Sequence, residues 1–292
     1  MADTTTENVT DLVAGLVRTL DVRPDGEDRF VGEAERDEHD HEHPRVFGGV
    51  VLGQAALAAG RTAPDPTLHS LHAYFLRGGR IGVPIEYAVE RVRDGRTFTS
   101  RRVLARQEGK PICDLTMSFV HPEEGLSHQD PMADVPPPES LRDAREAYPM
   151  DDGSLWPIGP IEWRRWEGFD LVAKPGEPAV VREWFRMRAP LPDDPAMHTA
   201  ALAFVSDAGS FSGIERRYGW QDIAFRASAS LDHALWVHRP VRWDDWMLME
   251  TDTPVAHAAR ALTHRRFYMR DGTHVATMAQ EAVVRRERKP SE

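Results

Sequence analysis

Cysteine is all but missing. Cys113 is the single one in 292 residues, which excludes an internal disulfide and any zinc site built from several thiolates. Its place inside a strand-like run predicts a small buried apolar side chain rather than a nucleophile. No apolar run approaches the roughly 18 residues needed to cross a bilayer. The N-terminus, Met1-Ala-Asp-Thr-Thr-Thr-Glu7, has neither the basic nor the apolar region of a signal peptide. The expectation is therefore no membrane insertion and a cytoplasmic location. Basic charge is in deficit as well: 36 Lys and Arg against 47 Asp and Glu give a formal charge of -11. That argues against a nucleic-acid partner, which demands a basic surface. A phosphorylated small ligand is still admitted, since a few local cations or a helix N-terminus suffice. A Gly-x-Ser-x-Gly nucleophile turn is missing too, because Gly209-Ser-Phe-Ser-Gly213 has Phe at its centre.

What the chain does have is a repeat. Arg96-Thr-Phe-Thr-Ser-Arg-Arg-Val-Leu-Ala-Arg106, Glu108-Gly109 and Ile112 to Phe119 return about 164 residues later as Arg260 to Arg270, Asp271-Gly272 and Val275 to Ala282. Each copy reads as two strands around an acidic-Gly turn, a β-hairpin signature. Around it the order of elements also repeats. Asp11 to Leu20 carries Leu12, Val13, Leu16, Val17 and Leu20 on one helical stripe. Glu33 to His43, with alternating His39, His41 and His43, reads as a solvated loop without metal geometry. An all-round apolar helix, Val50 to Ala59, follows Gly48 and Gly49. Strand-like runs then cover Leu68 to Leu76, Ile85 to Arg91, Thr97 to Arg106 and Pro111 to Val120. The second half offers strands at Ile161 to Trp166 and Val180 to Arg188 and a helix at Ala196 to Ala208. Strands resume at Ala227 to His238, Trp246 to Thr251, Ala258 to Met269 and Thr273 to Arg285. This gives an α+β architecture made by duplication, with expected units at 1–130 and 161–292 and a Pro-rich linker at 131–160.

The copies differ where polar groups replace apolar ones. With one residue removed at the first turn, Met117 aligns with Gln280, so a glutamine stands on a face that is otherwise Ala276, Met278 and Ala282. Aligning Leu71 to Arg77 with His233 to Arg239 sets Ser230 opposite Leu68. Asp207 shares a helix face with Ala200, Ala203 and Phe204, against a first-copy position between Leu57 and Thr62. A buried carboxylate needs partners, and a side-chain amide and a hydroxyl can provide them. The three polar groups are either a satisfied structural network or the holders of an attacking water.

At these residues the chain resembles the type II acyl-CoA thioesterase family. The resemblance rests on Arg45-Val-Phe-Gly-Gly49 with Gly53-Gln-Ala55, His72 to Arg77, Arg93-Asp-Gly95 with Phe98 and Arg101-Arg102, and Gly109-Lys-Pro-Ile112. In the second half it rests on Ala203 to Asp207, Ser230-Leu-Asp-His233, Trp236 with His238-Arg-Pro240, and Gln280-Glu281. It implies a double hotdog fold, two antiparallel sheets each wrapped around a central helix, and hydrolysis of acyl-CoA. The family's catalytic aspartate, hydroxyl residue and glutamine carry over to Asp207, Ser230 and Gln280. Ser230 stands where some members have Thr, and Gly78 where a proline is usual. Edge-to-edge growth of such sheets implies a homodimer or homotetramer, and no cofactor or metal is expected.

The expected chemistry is attack by a water that Asp207 deprotonates and Ser230 and Gln280 orient. Backbone N–H groups at Gly48 and Gly49 are the candidates for polarising the thioester carbonyl. Direct attack by Asp207 through an anhydride is the rival route. Enoyl-CoA hydration on this fold needs a His five residues after the Asp, where this chain has Ser212. A non-catalytic acyl-CoA binding protein is the other alternative.

Overall fold

Glycines at the helix contacts decide how closely the two halves approach. The computed structural model describes residues 9–34, 45–144, 159–166, 172–174, 176–219, 223–224 and 228–286. The His39, His41 and His43 loop lies outside the described residues. Helix α1 (Val9–Leu20) buries Val13, Leu16 and Leu20, part of its predicted stripe. Helix α2 (Gly48–Arg61) and helix α3 (Pro195–Asp207) bury most of their side chains. A Cβ added at Gly49 would stand 2.4 Å from the Phe204 carbonyl oxygen, and one at Gly53 would stand 3.0 Å from that of Ala200. Positions rising along α2 thus meet positions falling along α3. The crossing is antiparallel, and it carries the start of α2 to the end of α3. Asp194 and Pro195 start α3 as its sequence predicts, with the Asp194 side chain accepting from the Ala196 N–H at 2.9 Å. A short helix α4 (Ser212–Tyr218), not foreseen from sequence, follows directly.

Around these helices runs one continuous antiparallel sheet of thirteen strands. They are β1 (Val22–Pro24), β2 (Arg29–Gly32), β3 (Thr67–Phe75), β4 (Ile85–Asp94), β5 (Phe98–Gln107), β6 (Lys110–Val120), β7 (Ile161–Arg165), β8 (Val180–Met187), β9 (Ala229–Ser230), β10 (Asp232–Val237), β11 (Met247–His257), β12 (Arg260–Met269) and β13 (His274–Val283). Their order is β1-β2-β4-β5-β6-β3-β10-β13-β12-β11-β8-β7, with β9 beside β13. The halves are therefore two hotdog sheets joined edge to edge at β3 and β10, where Leu71 pairs with Leu235 and Ala73 with His233. One apolar cluster, from Val13 to Met278, runs through both. Beyond β6 the chain lies on the outer face of the second half. There Met132, Val135 and Leu141 pack on Trp184, Trp246, Leu248 and Tyr268, and the Trp184 indole N–H donates to the Pro136 carbonyl at 3.0 Å.

The ladders fix which residues correspond. Leu71 pairs with Met117 in the first half; in the second, Ala234 pairs with Ala279, and continuing that register sets His233 across from Gln280, as the alignment of the copies expects. Leu68 pairs with Phe119 and Ser230 with Ala282, which sets Ser230 in the place of Leu68. The hairpin alignment needs a correction of two residues. Arg101 pairs with Met117, whereas Thr263 pairs with Gln280, and the bulge at Ala105/Arg106 matches the one at Phe267/Tyr268. Thr263 therefore corresponds to Arg101, and Arg265 to Val103. The cause lies in the turns. Glu108 and Gly109, at φ 50 and 73, close a tight two-residue turn, while the second hairpin needs Arg270, Asp271 and Gly272.

The strand expected from Ala227 to His238 is likewise divided. β3 is bulged between Leu68 and Ser70, and at the matching place β9 and β10 part at Leu231. A bulge here re-aims the preceding side chain, which in the second half is Ser230. The short strands β1 and β2 were also missed, since neither has an alternating apolar pattern long enough to read.

Gly49→Ala should lower the unfolding free energy by about 1–3 kcal/mol, because a backbone carbonyl must give way to the added methyl group. Urea denaturation measures this, and an unchanged midpoint would contradict the close-crossing account.

Candidate active site

The end of α3 is an unfavourable place for a carboxylate, and Asp207 is the last residue of that helix. Unpaired helix carbonyls present negative dipole charge there, and the side chain is only 5% exposed. Three features offset this. First, α2 begins against the carboxylate: a Cβ at Gly48 would lie 2.6 Å from Asp207 Oδ2. The Gly49 N–H favours the ionised form, as helix N-termini do. Second, the buried Arg265 guanidinium donates to the carbonyls of Ser206 at 2.9 Å and Ala208 at 2.5 Å, and also to that of Gly209. It neutralises the helix end and sets a positive charge near Asp207. Third, the Gln280 side chain contacts the carboxylate. Burial nevertheless prevails and raises the pKa of Asp207 from 3.8 to about 6.

The sequence-predicted residues come together here. Gln280, buried on β13, donates through Nε2 to Ser230 Oγ at 2.5 Å. Asp207, Gln280 and Ser230 thus form one connected group, with Gly48 and Gly49 at its edge. Asp207 Oδ1 has no hydrogen-bond partner among the described residues, a costly condition for a buried oxygen. The C-caps Thr62 and Ala208 set Asp207 opposite Arg61, inside the range expected from sequence.

Sequence reasoning counted three polar intrusions, and the structure contains more. His233 occupies the place of Leu71 and is 1% exposed. Its Nδ1 lies 2.6 Å from Gln280 Oε1 and its Nε2 lies 2.9 Å from Ser206 Oγ. The alignment that matched Leu71 with His233 already held this signal. Burial pushes the His233 pKa down to about 4, so the ring is neutral at physiological pH. Arg265 in the place of Val103 was hidden by the two-residue misalignment. Burial lowers its pKa to about 10 while Glu183, Asp207 and Glu215 oppose that shift, and it remains charged at neutral pH. Cys113 is buried, and desolvation holds its thiol far above the ordinary range, which accords with an apolar role. No group of three or more metal-ligating side chains gathers among the described residues.

Two family models match the chain: the acyl-CoA thioesterase N-terminal domain over residues 36–120 and the acyl-CoA thioesterase C-terminal domain over residues 131–284. The chain belongs to the type II acyl-CoA thioesterase family, a family of thioester hydrolases. Acyl-coenzyme A thioesterase 8 of Homo sapiens is 35% identical over 94% of this chain and 90% of its own length. Acyl-CoA thioesterase 2 of Haemophilus influenzae is 31% identical, covering 95% and 99%. Among solved structures, the acyl-CoA thioesterase II TesB2 of Mycobacterium marinum has a TM-score of 0.78 at 35% identity, covering 92% and 98%. A hot dog fold protein of Alicyclobacillus acidocaldarius shares the fold alone, at 19% identity and a TM-score of 0.75 over 95% and 99%. No described helix of this thioesterase-family chain is long and apolar enough to cross a membrane.

The raised pKa of Asp207 makes stability depend on pH with a defined sign. The fold favours the protonated carboxyl, so this group's stabilising contribution is complete below its ordinary pKa of 3.8 and is lost as pH rises through about 6. At pH 7.5 the ionised group then costs about 3 kcal/mol. Asp207→Asn should be more stable than the parent at pH 7.5, with the difference shrinking toward pH 4. Urea titrations across that range test this, and a variant less stable at pH 7.5 would contradict it.

Proposed function

We propose that this protein hydrolyses acyl-CoA to the free acid and CoA with water activated by Asp207. The observation that carries the reading is the unpartnered Asp207 Oδ1, buried beside Gln280 and Ser230 at the start of α2. An acceptor left open in such a place suits a water that gives up its proton there. A carboxylate titrating at about 6 is a stronger base than an ordinary aspartate and is still ionised at neutral pH. In this reading Asp207 accepts a proton from the water as the water oxygen bonds to the thioester carbonyl carbon. The Ser230 hydroxyl and the Gln280 amide orient that water. The Gly48 N–H at the start of α2 receives the developing oxyanion, while the Gly49 N–H stays on the Asp207 carboxylate. The carbon–sulfur bond then breaks, and CoA leaves as a thiolate that needs little protonation. The human and Haemophilus relatives, named as acyl-CoA thioesterases, support acyl-CoA as the substrate. So does the helix N-terminus, a favourable neighbour for developing negative charge.

Asp207→Asn should reduce kcat by about 10²–10⁴-fold with the circular dichroism spectrum preserved. In the parent enzyme log(kcat/KM) should rise with pH to a plateau, with an apparent pKa of about 6. Release of CoA followed with a thiol reagent measures both. Most of the activity surviving in Asp207→Asn, or a limb governed by a group near 4, would contradict the proposal.

A further inference from the structure

The buried imidazole of His233 takes no part in the steps above, yet both of its ring nitrogens are engaged. Gln280 Oε1 lies 2.6 Å from Nδ1, and Gln280 Nε2 is already donating to Ser230 Oγ at 2.5 Å. An amide oxygen only accepts, so Nδ1 must carry the hydrogen. A neutral imidazole then has an unprotonated Nε2, which accepts from the Ser206 hydroxyl at 2.9 Å. The Ala203 carbonyl, an acceptor 2.8 Å from the same hydroxyl one turn back in α3, competes for its single hydrogen, which the unprotonated Nε2 of a neutral ring assigns to His233. The tautomer and the amide orientation are assigned from this network. The ring thus ties β13, through Gln280, to the helix residue immediately before Asp207.

We propose that His233 is a positioning residue that acts through Gln280: its Nδ1–H holds the amide oxygen away from Asp207, so that the amide NH2 faces Ser230 and the carboxylate. The inference rests on the site reading above and deepens it. With the donor gone, the amide oxygen would be buried without a partner, and rotating the amide would set that oxygen against Asp207. Either outcome takes the NH2 from Ser230 and the carboxylate that hold the water. The first half shows what the fold itself requires at this place, because Leu71 fills the equivalent position with no polar partner. His233 is therefore dispensable for packing as a residue type, and its hydrogen bonds serve the second half alone.

The test compares kcat and KM for the parent, His233→Leu, His233→Asn, Gln280→Ala and the double variant His233→Leu/Gln280→Ala, using one acyl-CoA. His233→Leu should lose about 10²-fold in kcat, the scale of a misplaced catalytic group, with KM changed less than about twofold. His233→Asn keeps a donor at the Nδ1 position and should recover most of that loss. The double variant should be no slower than Gln280→Ala alone, since a residue acting only through Gln280 adds nothing once the amide is gone. Nitrogen-15 correlation spectra of the parent should show His233 in the Nδ1–H tautomer and neutral at pH 6, a readout independent of how well any variant folds. Losses that multiply in the double variant, no rescue by Asn, or the Nε2–H tautomer would overturn this proposal. Parent-like activity in His233→Leu beside a crippled Gln280→Ala would overturn it alone. Full activity in Gln280→Ala would instead overturn the site reading on which it stands.

Discussion

Everything in this molecule is arranged around one unfavourable placement, a carboxylate buried at the carbonyl end of a helix. Asp207 stays there because a second helix begins against it, and that second helix can begin so close only because residues 48 and 49 are glycines. The antiparallel crossing of α2 and α3 is thus a packing requirement and an electrostatic one together. Arg265 completes the balance by occupying the carbonyls at the end of α3. The net result is a carboxylate whose pKa is moved up by burial and held within reach of neutral pH by its neighbours.

Duplication made the arrangement possible. Each half supplies a helix and a curved sheet, and joining the sheets at β3 and β10 brings the two helices face to face. The first half keeps Leu68, Leu71, Val103 and Met117 where the second has Ser230, His233, Arg265 and Gln280. Four apolar positions of an ordinary core have become a hydroxyl, an imidazole, a guanidinium and an amide. All four belong to the polar network around a carboxylate that the first half does not have, while the first half contributes the helix N-terminus that faces it. Among the described residues there is therefore one such site, made from both halves.

Much of this was legible in the sequence, and the failures have physical causes. The buried helices announced themselves by their small apolar residues, and Ser230 and Gln280 by polar intrusion into an apolar face. Position 265 was missed because alternation has a period of two residues. A shift of two leaves every side chain on its proper face, so the arginine pairs in the two hairpins could be matched wrongly without disturbing the pattern. The bulges were invisible for a related reason, since one extra residue in a strand is not marked by composition. His233 was visible but uncounted, lying in an aligned segment beside the more familiar Ser230. β1 and β2 are too short for periodicity to register, and they form because β4 offers an edge, which is a tertiary cause.

The central claim is that Asp207 removes a proton from water and does not itself attack the thioester. Single-turnover hydrolysis in heavy-oxygen water, followed by mass spectrometry of the peptide containing Asp207 and of the released acid, tests it most directly. The account predicts label in the acid and none in the Asp207 carboxyl group. Label in Asp207 would reveal an anhydride intermediate and contradict it.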